Sequence, residues 1–220
     1  MRKFVALLLF IAVTSISNGC KKDPPDSKTK TFVEEFVAVY KLTTWTFKDN
    51  SSPYPLATWH QGFSGPDKSG NPMGFPAHSF KNEDDEYIYV GTKNYSPGPF
   101  TISSWLISPV YEIKNGDKIT FFTRSANESG FVDRLQVRLN EVDNTADVGA
   151  TATSVGKFTM LLKDINENLV IDGYPRTWTK HEITVSGLTA PKQSRIAFRY
   201  FPDEFKSNAI GLDLFTFTSF

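Results

Sequence analysis

Cys20 is the only cysteine in this 220-residue chain. A single thiol allows neither an intramolecular disulfide nor a cysteine-rich metal site, so stability has to come from a hydrophobic core. Histidine is almost as scarce, with three residues, His60, His78 and His181. Charge of one sign is missing too: 24 basic residues balance 24 acidic ones and no run of five or more like charges occurs. That balance argues against nucleic acid and against electrostatic attraction to a membrane surface. The one long apolar run, Phe4 to Val13, has ten residues, far below the roughly 20 that a spanning helix needs. No internal repeat is present, and no segment carries apolar residues at helical spacing.

Arg2 and Lys3 precede that apolar run, and a small polar stretch then leads to Gly19 and Cys20. This is the layout of a secretory signal. The junction resembles the lipobox of bacterial lipoproteins, in which such a cysteine is acylated and becomes the first mature residue. Ser17 departs from the aliphatic residue usual three places before the cysteine, although Ile16 stands next to it. The alternative is a soluble secreted protein with a free thiol. The expected organisation is a signal peptide over residues 1–19, a lipidated Cys20 with a spacer through residue 31, and one domain over 32–220. The spacer Lys21 to Thr31, KKDPPDSKTKT, has no apolar side chain other than two prolines and cannot pack. Without residues 1–19 the chain has 22 basic and 24 acidic residues, a net charge of −2. The expected location is outside the cytoplasm, tethered by lipid at the outer membrane or cell surface.

What the sequence has in quantity is aromatic residues: 19 Phe, 8 Tyr and 4 Trp. They are spread over short alternating segments separated by Gly, Pro, Asn and Asp, which is the pattern of strands and turns. Ten such segments predict strands: Phe32 to Val39, Thr43 to Phe47, Tyr87 to Thr92, Ser104 to Ser108, Lys118 to Arg124, Leu135 to Leu139, Phe158 to Leu162, Trp178 to Val185, Arg195 to Phe201 and Leu212 to Thr218. In several the faces can be read directly, with Ile119 and Phe121, Leu135, Val137 and Leu139, and Ile196, Phe198 and Tyr200 on the side that must be buried. The predicted fold is an all-β jelly-roll β-sandwich in a single domain. Residues Asp49 to Glu86 form a long irregular stretch, either functional or strapped across the sandwich by its aromatics.

Taken together, FVEEF at 32–36, Trp59, SWLISP at 104–109, KITFFTRS at 118–125, DRLQVRL at 133–139, FTMLL at 158–162, TWTKHEITV at 177–185, RIAFRY at 195–200 and GLDLFTF at 211–217 resemble the choice-of-anchor J and cleaved-adhesin group of surface domains, jelly-roll sandwiches distantly similar to MAM domains. The pieces occur in that group's order. The sequence after Asp133 lacks the serine-rich end often found there, and Asn82 to Glu86 is unusually acidic. The resemblance implies a non-catalytic surface module that engages glycans or proteins, often with a bound calcium, and core positions for Trp59 and Trp105.

Calcium is the chemistry the residues themselves suggest. Asp213 shares its strand phase with Phe215 and Phe217, and Glu34 shares its phase with Phe32 and Phe36. A carboxylate turned toward a core must be paired or hold a metal. Arginine or loop amides could satisfy both groups. A structural calcium between the first and last strands would take Glu34 and Asp213, with Asp49 and Asn50 adding oxygen ligands. Asp164, Asn166 and Asn168 alternate like a calcium loop, but Leu169 occupies the glycine position, and a hairpin turn is the expected reading. Gly62-Phe63-Ser64-Gly65 lacks the spacing of a nucleophile elbow, so no catalytic residue is assigned and the chain is not read as an enzyme. A sugar's C–H face stacks on an exposed ring, and Trp45, Tyr54 and Tyr95 are the candidate ligand-binding aromatics. The expected function is a lipid-anchored binding module for a glycan or a surface protein. A structural or assembly lipoprotein with only protein contacts is the alternative, and a secreted hydrolase the third.

Overall fold

The computed structural model describes residues 29–53, 55, 57–66, 68–69, 72–78, 87–91, 100–203 and 205–220. In chain order the strands are β1 (Lys30–Glu34), β2 (Thr46–Asp49), β3 (His60–Gly62), β4 (Ser64–Pro66), β5 (Pro72–Gly74), β6 (Tyr87–Gly91), β7 (Ser104–Ile107), β8 (Tyr111–Ile113), β9 (Lys118–Ser125), β10 (Leu135–Leu139), β11 (Met160–Ile165), β12 (Thr179–Thr184), β13 (Lys192–Ser194), β14 (Ile196–Tyr200) and β15 (Ala209–Ser219). One 3₁₀ turn, Val39–Lys41, is the only helical element among the described residues. Two antiparallel sheets face each other. One has the order β12-β9-β15-β6-β3 with β1 also paired to β15, and the other has the order β11-β10-β14-β7-β2.

The strand alternation builds the core as expected. Ile119 and Phe121 of β9, Leu135, Val137 and Leu139 of β10, and Ile196, Phe198 and Tyr200 of β14 are all fully buried in one cluster between the sheets. Burying a side chain of this size contributes on the order of 1.5–3 kcal/mol, and these eight residues share the cluster with Leu106, Leu212, Phe215 and Phe217 among others. Phe198 meets Phe121 at 5.1 Å and Phe215 at 5.9 Å between ring centroids, both edge to face, the arrangement aromatic quadrupoles favour.

The first strand is shorter than the sequence pattern predicts. It ends at Glu34 because Phe36 takes a left-handed backbone (φ 56°), and the Glu34 carboxylate accepts the Phe36 N–H at 2.9 Å. The chain then turns inward and Phe36 is fully buried. The 49–86 stretch holds the short strands β3, β4 and β5, which the sequence did not announce, as it did not announce β8 and β13.

Each sheet also has a covered outer face. On the five-stranded sheet Trp105, Ile107 and Ala197 pack under Val148 and Phe158 of the 140–158 loop. In their midst lies Arg199, 2% exposed. The connection from β11 to β12 contains a built turn, with the Asn166 side chain clasping both the N–H and the carbonyl of Val170, but it is not the expected hairpin, because β11 pairs with β10 in one sheet and β12 with β9 in the other. Asp164 is not a loop ligand but forms a two-pronged ion pair with Arg134, its Oδ1 taking the Nε–H at 2.8 Å.

Candidate functional site

The four carboxylate and amide groups expected to surround calcium do not converge. Glu34 lies opposite Phe215 across the β1–β15 ladder, and Phe215 is in the core, so Glu34 is on the inner face. Asp213 lies opposite Phe122 of β9, whose ring stacks against His78 outside the sheet. Residues directly opposite on antiparallel strands share a face. Glu34 and Asp213 are therefore on opposite sides of the same sheet and cannot share one ion. The cause is local: the β15 register shifts between Asp213 and Thr216, with Leu214 at φ 46°. Such a bulge flips the alternation, so Ile210 and Leu212 point inward before it, and Phe215 and Phe217 after it.

Each group instead holds backbone. Asp213 is fully buried and accepts the N–H of His78 at 2.8 Å and of Leu214 at 2.7 Å. Asp49, on the other sheet, accepts from Ser51 and Ala57 at 2.9 and 2.8 Å. Asn50 donates to the Gly149 carbonyl at 2.7 Å. Among the described residues no group of three or more His, Cys, Asp and Glu side chains could hold a metal.

Trp45 is corrected as well. Its ring is 6% exposed and packs edge to face on Phe36 at 5.3 Å and Phe215 at 5.4 Å, leaving no face for a ligand. Tyr54, Tyr95 and Cys20 lie outside the described residues. Trp59 and Trp105 are buried.

Rings do gather elsewhere, on the outer face of the six-stranded sheet. In β6 the sequence Tyr87-Ile88-Tyr89-Val90 places Ile88 and Val90 in the inter-sheet core. By alternation Tyr87 and Tyr89 project outward. The segment 75–78 crosses over them as a strap. Phe75 stacks on Tyr87 at 4.6 Å, Trp178 meets Phe75 at 5.7 Å and Tyr87 at 5.5 Å, and the Arg124 guanidinium lies 4.5 Å from the Phe75 ring centre. Polar bonds fasten the strap: Trp178 Nε1 donates to the Pro76 carbonyl at 2.7 Å, Phe75 N–H donates to the Tyr87 hydroxyl at 3.2 Å, and His78 N–H donates to Asp213. Desolvation pushes the Tyr87 phenol up and the Tyr89 phenol up to about 12, so both remain neutral hydroxyls at neutral pH.

Beside the strap opens a pocket of about 90 Å³ lined by His60, Gln61, Gly62, Phe63, Gly74, Tyr87 and Tyr89. Phe63 keeps 48% of its surface in solvent at the rim. His60 stands edge-on to Tyr89 at 5.0 Å, with Nδ1 bonded to the Thr58 carbonyl at 2.8 Å. Gly74 has φ 64°, and a Cβ there would stand 1.8 Å from the Phe63 carbonyl; only glycine lets the β5 backbone pass so near the pocket wall. Pockets that take drug-sized ligands measure about 300–1,000 Å³, so this one has room for a small group only.

The three histidines have different settings. His60 is at the pocket. The His78 ring lies on Phe122, 3.5 Å between centroids, and burial lowers its pKa. His181 stacks on Phe121 at the inner rim of β12, where desolvation, with Lys163 adding, lowers it to about 4. Among the described residues no histidine ring bonds a serine hydroxyl.

No family model matches the sequence, and no curated protein does. Solved structures do share its shape. The K3 cleaved adhesin domain of Lys-gingipain from Porphyromonas gingivalis superposes with a TM-score of 0.56 at 18% identity, covering 87% of this chain and 99% of that one. The chain has the fold of a cleaved adhesin domain. The K1 domain of the same protein gives 0.54 at 18% identity over 86% and 97% of the two chains. The K2 domain of Lys-gingipain gives 0.53 at 15% identity over 86% and 100%. At these identities the agreement concerns the β-sandwich, and the pocket residues are argued from this chain alone.

Two of the pocket residues, Tyr87 and Tyr89, could have been found in the sequence. The Tyr-Ile-Tyr-Val alternation at 87–90 puts two tyrosines opposite two aliphatics, and a strand whose aliphatic face is in the core must turn its tyrosines to the other side. Trp178 shares the phase of Lys180, which is exposed, and that too marks the outer face.

Proposed function

We propose that this chain is a non-catalytic cell-surface binding module that takes a carbohydrate at the pocket between His60, Phe63 and Tyr89. The observation that carries the reading is the exposed Phe63 ring at the mouth of a small pocket. It offers the apolar face on which a pyranose stacks, next to the His60 imidazole that can bond a hydroxyl, while the Gln61 amide is already committed to Phe36, Tyr87 and Val39. Five of the seven lining residues come from the irregular 49–86 stretch and the other two, Tyr87 and Tyr89, from β6, and loops on a rigid scaffold commonly carry binding. The small volume favours a terminal sugar over the middle of a long chain. The adhesin name of the domains with the same fold agrees with this reading.

The test is a glycan array on the full chain followed by titration of Phe63→Ala. The variant is expected to fold as the parent does, because Phe63 is half in solvent. Its affinity for the bound glycan is expected to fall about tenfold, the usual effect of truncating an aromatic contact of 1 kcal/mol or more. A broad panel from which the parent retains nothing removes the carbohydrate reading and leaves protein contacts.

The module is further read as tethered by lipid at Cys20. Each buried methylene contributes about 0.8 kcal/mol and one acyl chain holds only marginally, so stable anchoring requires at least two chains. Cys20→Ser is expected to shift the protein from the membrane to the soluble fraction on cell fractionation. Retention in the membrane as tight as the parent's counts against lipidation.

A further inference from the structure

β1 is an edge strand whose one strand partner among the described residues is β15. Edges of this kind are templates for pairing with another chain unless charge, proline or a bulge blunts them. This one is not blunted at its centre. Phe32 and Val33, on opposite faces of the strand, are 44% and 57% exposed, and Val37 and Tyr40 in the segment that follows are 53% and 81% exposed. Between β1 and the 3₁₀ turn lies an open hollow of about 510 Å³ walled by Val33, Val37, Ala38 and Leu42 together with the charged Glu34, Glu35 and Lys41.

The five residues Lys30-Thr31-Phe32-Val33-Glu34 are complementary to themselves. Two copies running antiparallel about a two-fold axis at Phe32 set Lys30 opposite Glu34, Thr31 opposite Val33, and Phe32 opposite Phe32. Both charge pairs are then of opposite sign, and the two Phe32 side chains, each packed on Tyr111 and Phe217 of its own chain, lie opposite each other at the centre. Shifting the axis to Thr31 sets Lys30 opposite Phe32, and shifting it to Val33 sets Phe32 opposite Glu34. Opposite charges across a ladder stabilise and a charge facing an aromatic forfeits that gain, so a single register is favoured. We propose that the chain self-associates as a two-fold dimer by antiparallel pairing of β1 in the Phe32-centred register, joining the two six-stranded sheets into one.

The other sheet edges fit a second copy less well. β12 also alternates charge, but Glu182 is already bonded to Lys118 at 3.1 Å and lies 3.9 Å from Lys180. Its one aliphatic residue, Ile183, is buried. β11 exposes Leu161, yet its ladder with β10 shifts register beside it, an irregularity that discourages further pairing. A two-fold contact about Lys48 on β2 would oppose lysine with lysine. An isologous contact through β1 is small beside the usual stable interface, so the dimer is concentration-dependent.

Sedimentation velocity on the full chain tests this. The parent is expected to pass from monomer to dimer as concentration rises. Lys30→Glu alone, or Glu34→Lys alone, sets like charges opposite at both ends and is expected to weaken the dimer about tenfold. An equimolar mixture of the two variants restores both charge pairs and is expected to associate as the parent does. Lys180→Glu, on the other edge, leaves association unchanged. Because Glu34 also holds the Phe36 N–H, Phe32→Cys provides a second route without charge: the two introduced thiols face each other near the axis and are expected to form a disulfide-linked dimer on oxidation, above any background from Cys20. A parent that stays monomeric at every concentration overturns the proposal, as does a dimer indifferent to Lys30→Glu or the absence of crosslinking at position 32.

Discussion

Arg199→Met is expected to destabilise the domain by about 3 kcal/mol and, for a domain of this size, to lower its melting temperature by roughly 6–12 °C. The guanidinium lies between two rings, 5.0 Å from the Trp105 centroid and 3.8 Å from that of Phe201. Its nitrogens donate to Ser103 Oγ at 3.0 Å, Gln136 Oε1 at 3.3 Å and the Ala152 carbonyl at 2.5 Å. One side chain thus ties β14 to β7, to β10 and to the 140–158 loop. Two terms oppose each other on substitution. Burial, with the Arg138 and Arg134 charges nearby, lowers the Arg199 pKa to about 9, so it is still a cation at neutral pH and its removal relieves a desolvation cost. Against that, the Ala152 carbonyl loses its donor inside the protein, which costs about 1–3 kcal/mol, and two ring contacts worth about 0.5–2 kcal/mol each go with it. Gln136 Oε1 keeps the Arg138 Nε–H at 3.0 Å and adds little. The second group is larger because methionine offers no donor. Arg199→Lys is expected to fall nearly as far, since a single ammonium cannot span acceptors on three elements. A thermal melt in which Arg199→Met equals or exceeds the parent would mean that desolvation outweighs the network.

Arg199 also shows where a sequence stops being informative. Its strand was readable: Ile196, Phe198 and Tyr200 alternate with Arg195, Ala197 and Arg199, and the first set is buried between the sheets. The same alternation marks Arg195 and Arg199 as outward, and outward usually means solvent. Only the 140–158 loop, folded over that face with Val148 and Phe158, makes Arg199 interior. Nothing local to β14 encodes that cover. The β15 error has the same origin. A period of two read through Gly211-Leu212-Asp213-Leu214-Phe215 puts Asp213 with the phenylalanines, and one residue of bulge at Leu214 reverses it. Bulges leave no composition signal when the residue with positive φ is a leucine, so the proposed calcium pair was separated by a feature the pattern cannot show.

Trp45 illustrates the converse. It falls inside the predicted strand Thr43 to Phe47 and is expected to meet a ligand, yet the left-handed turn at Phe36 brings the chain inward and closes Trp45 between Phe36 and Phe215. The outer aromatic cluster, by contrast, was legible in β6 and in the Trp178 phase, whereas the 75–78 strap that covers it leaves no mark in either strand. A sandwich with straps has outer cores as well, and here Phe75, Ala77 and Tyr87 form one.

That outer core sets the last expectation. Gly211→Val is expected to displace the 75–78 strap, to cost about 1–3 kcal/mol of stability, and to abolish binding at the Phe63 pocket. Gly211 is on the outer face of β15, and a Cβ at this position would stand 2.7 Å from Phe75 Cε2 and 2.8 Å from Tyr87 Cδ2. Real side chains do not approach so closely, and both rings are held: they stack on each other at 4.6 Å, and Trp178 bonds the strap at Pro76. Overpacking of this kind typically costs 1–3 kcal/mol. The inner face of β15 is untouched, since the backbone pairing of Gly211 with Arg124 and Tyr89 does not involve its side. The inter-sheet core should therefore survive while the strap moves. Displacement of Phe75 passes directly to Gly74, which has no room against the Phe63 carbonyl, and so to the pocket rim. Gly211→Val is thus expected to lower both the melting temperature and glycan affinity, whereas Phe63→Ala lowers affinity alone. Gly211→Ala, with one methyl, should lie between Gly211→Val and the parent in both. A Gly211→Val protein that melts and binds as the parent does would show that the strap neither packs as described nor shapes the site.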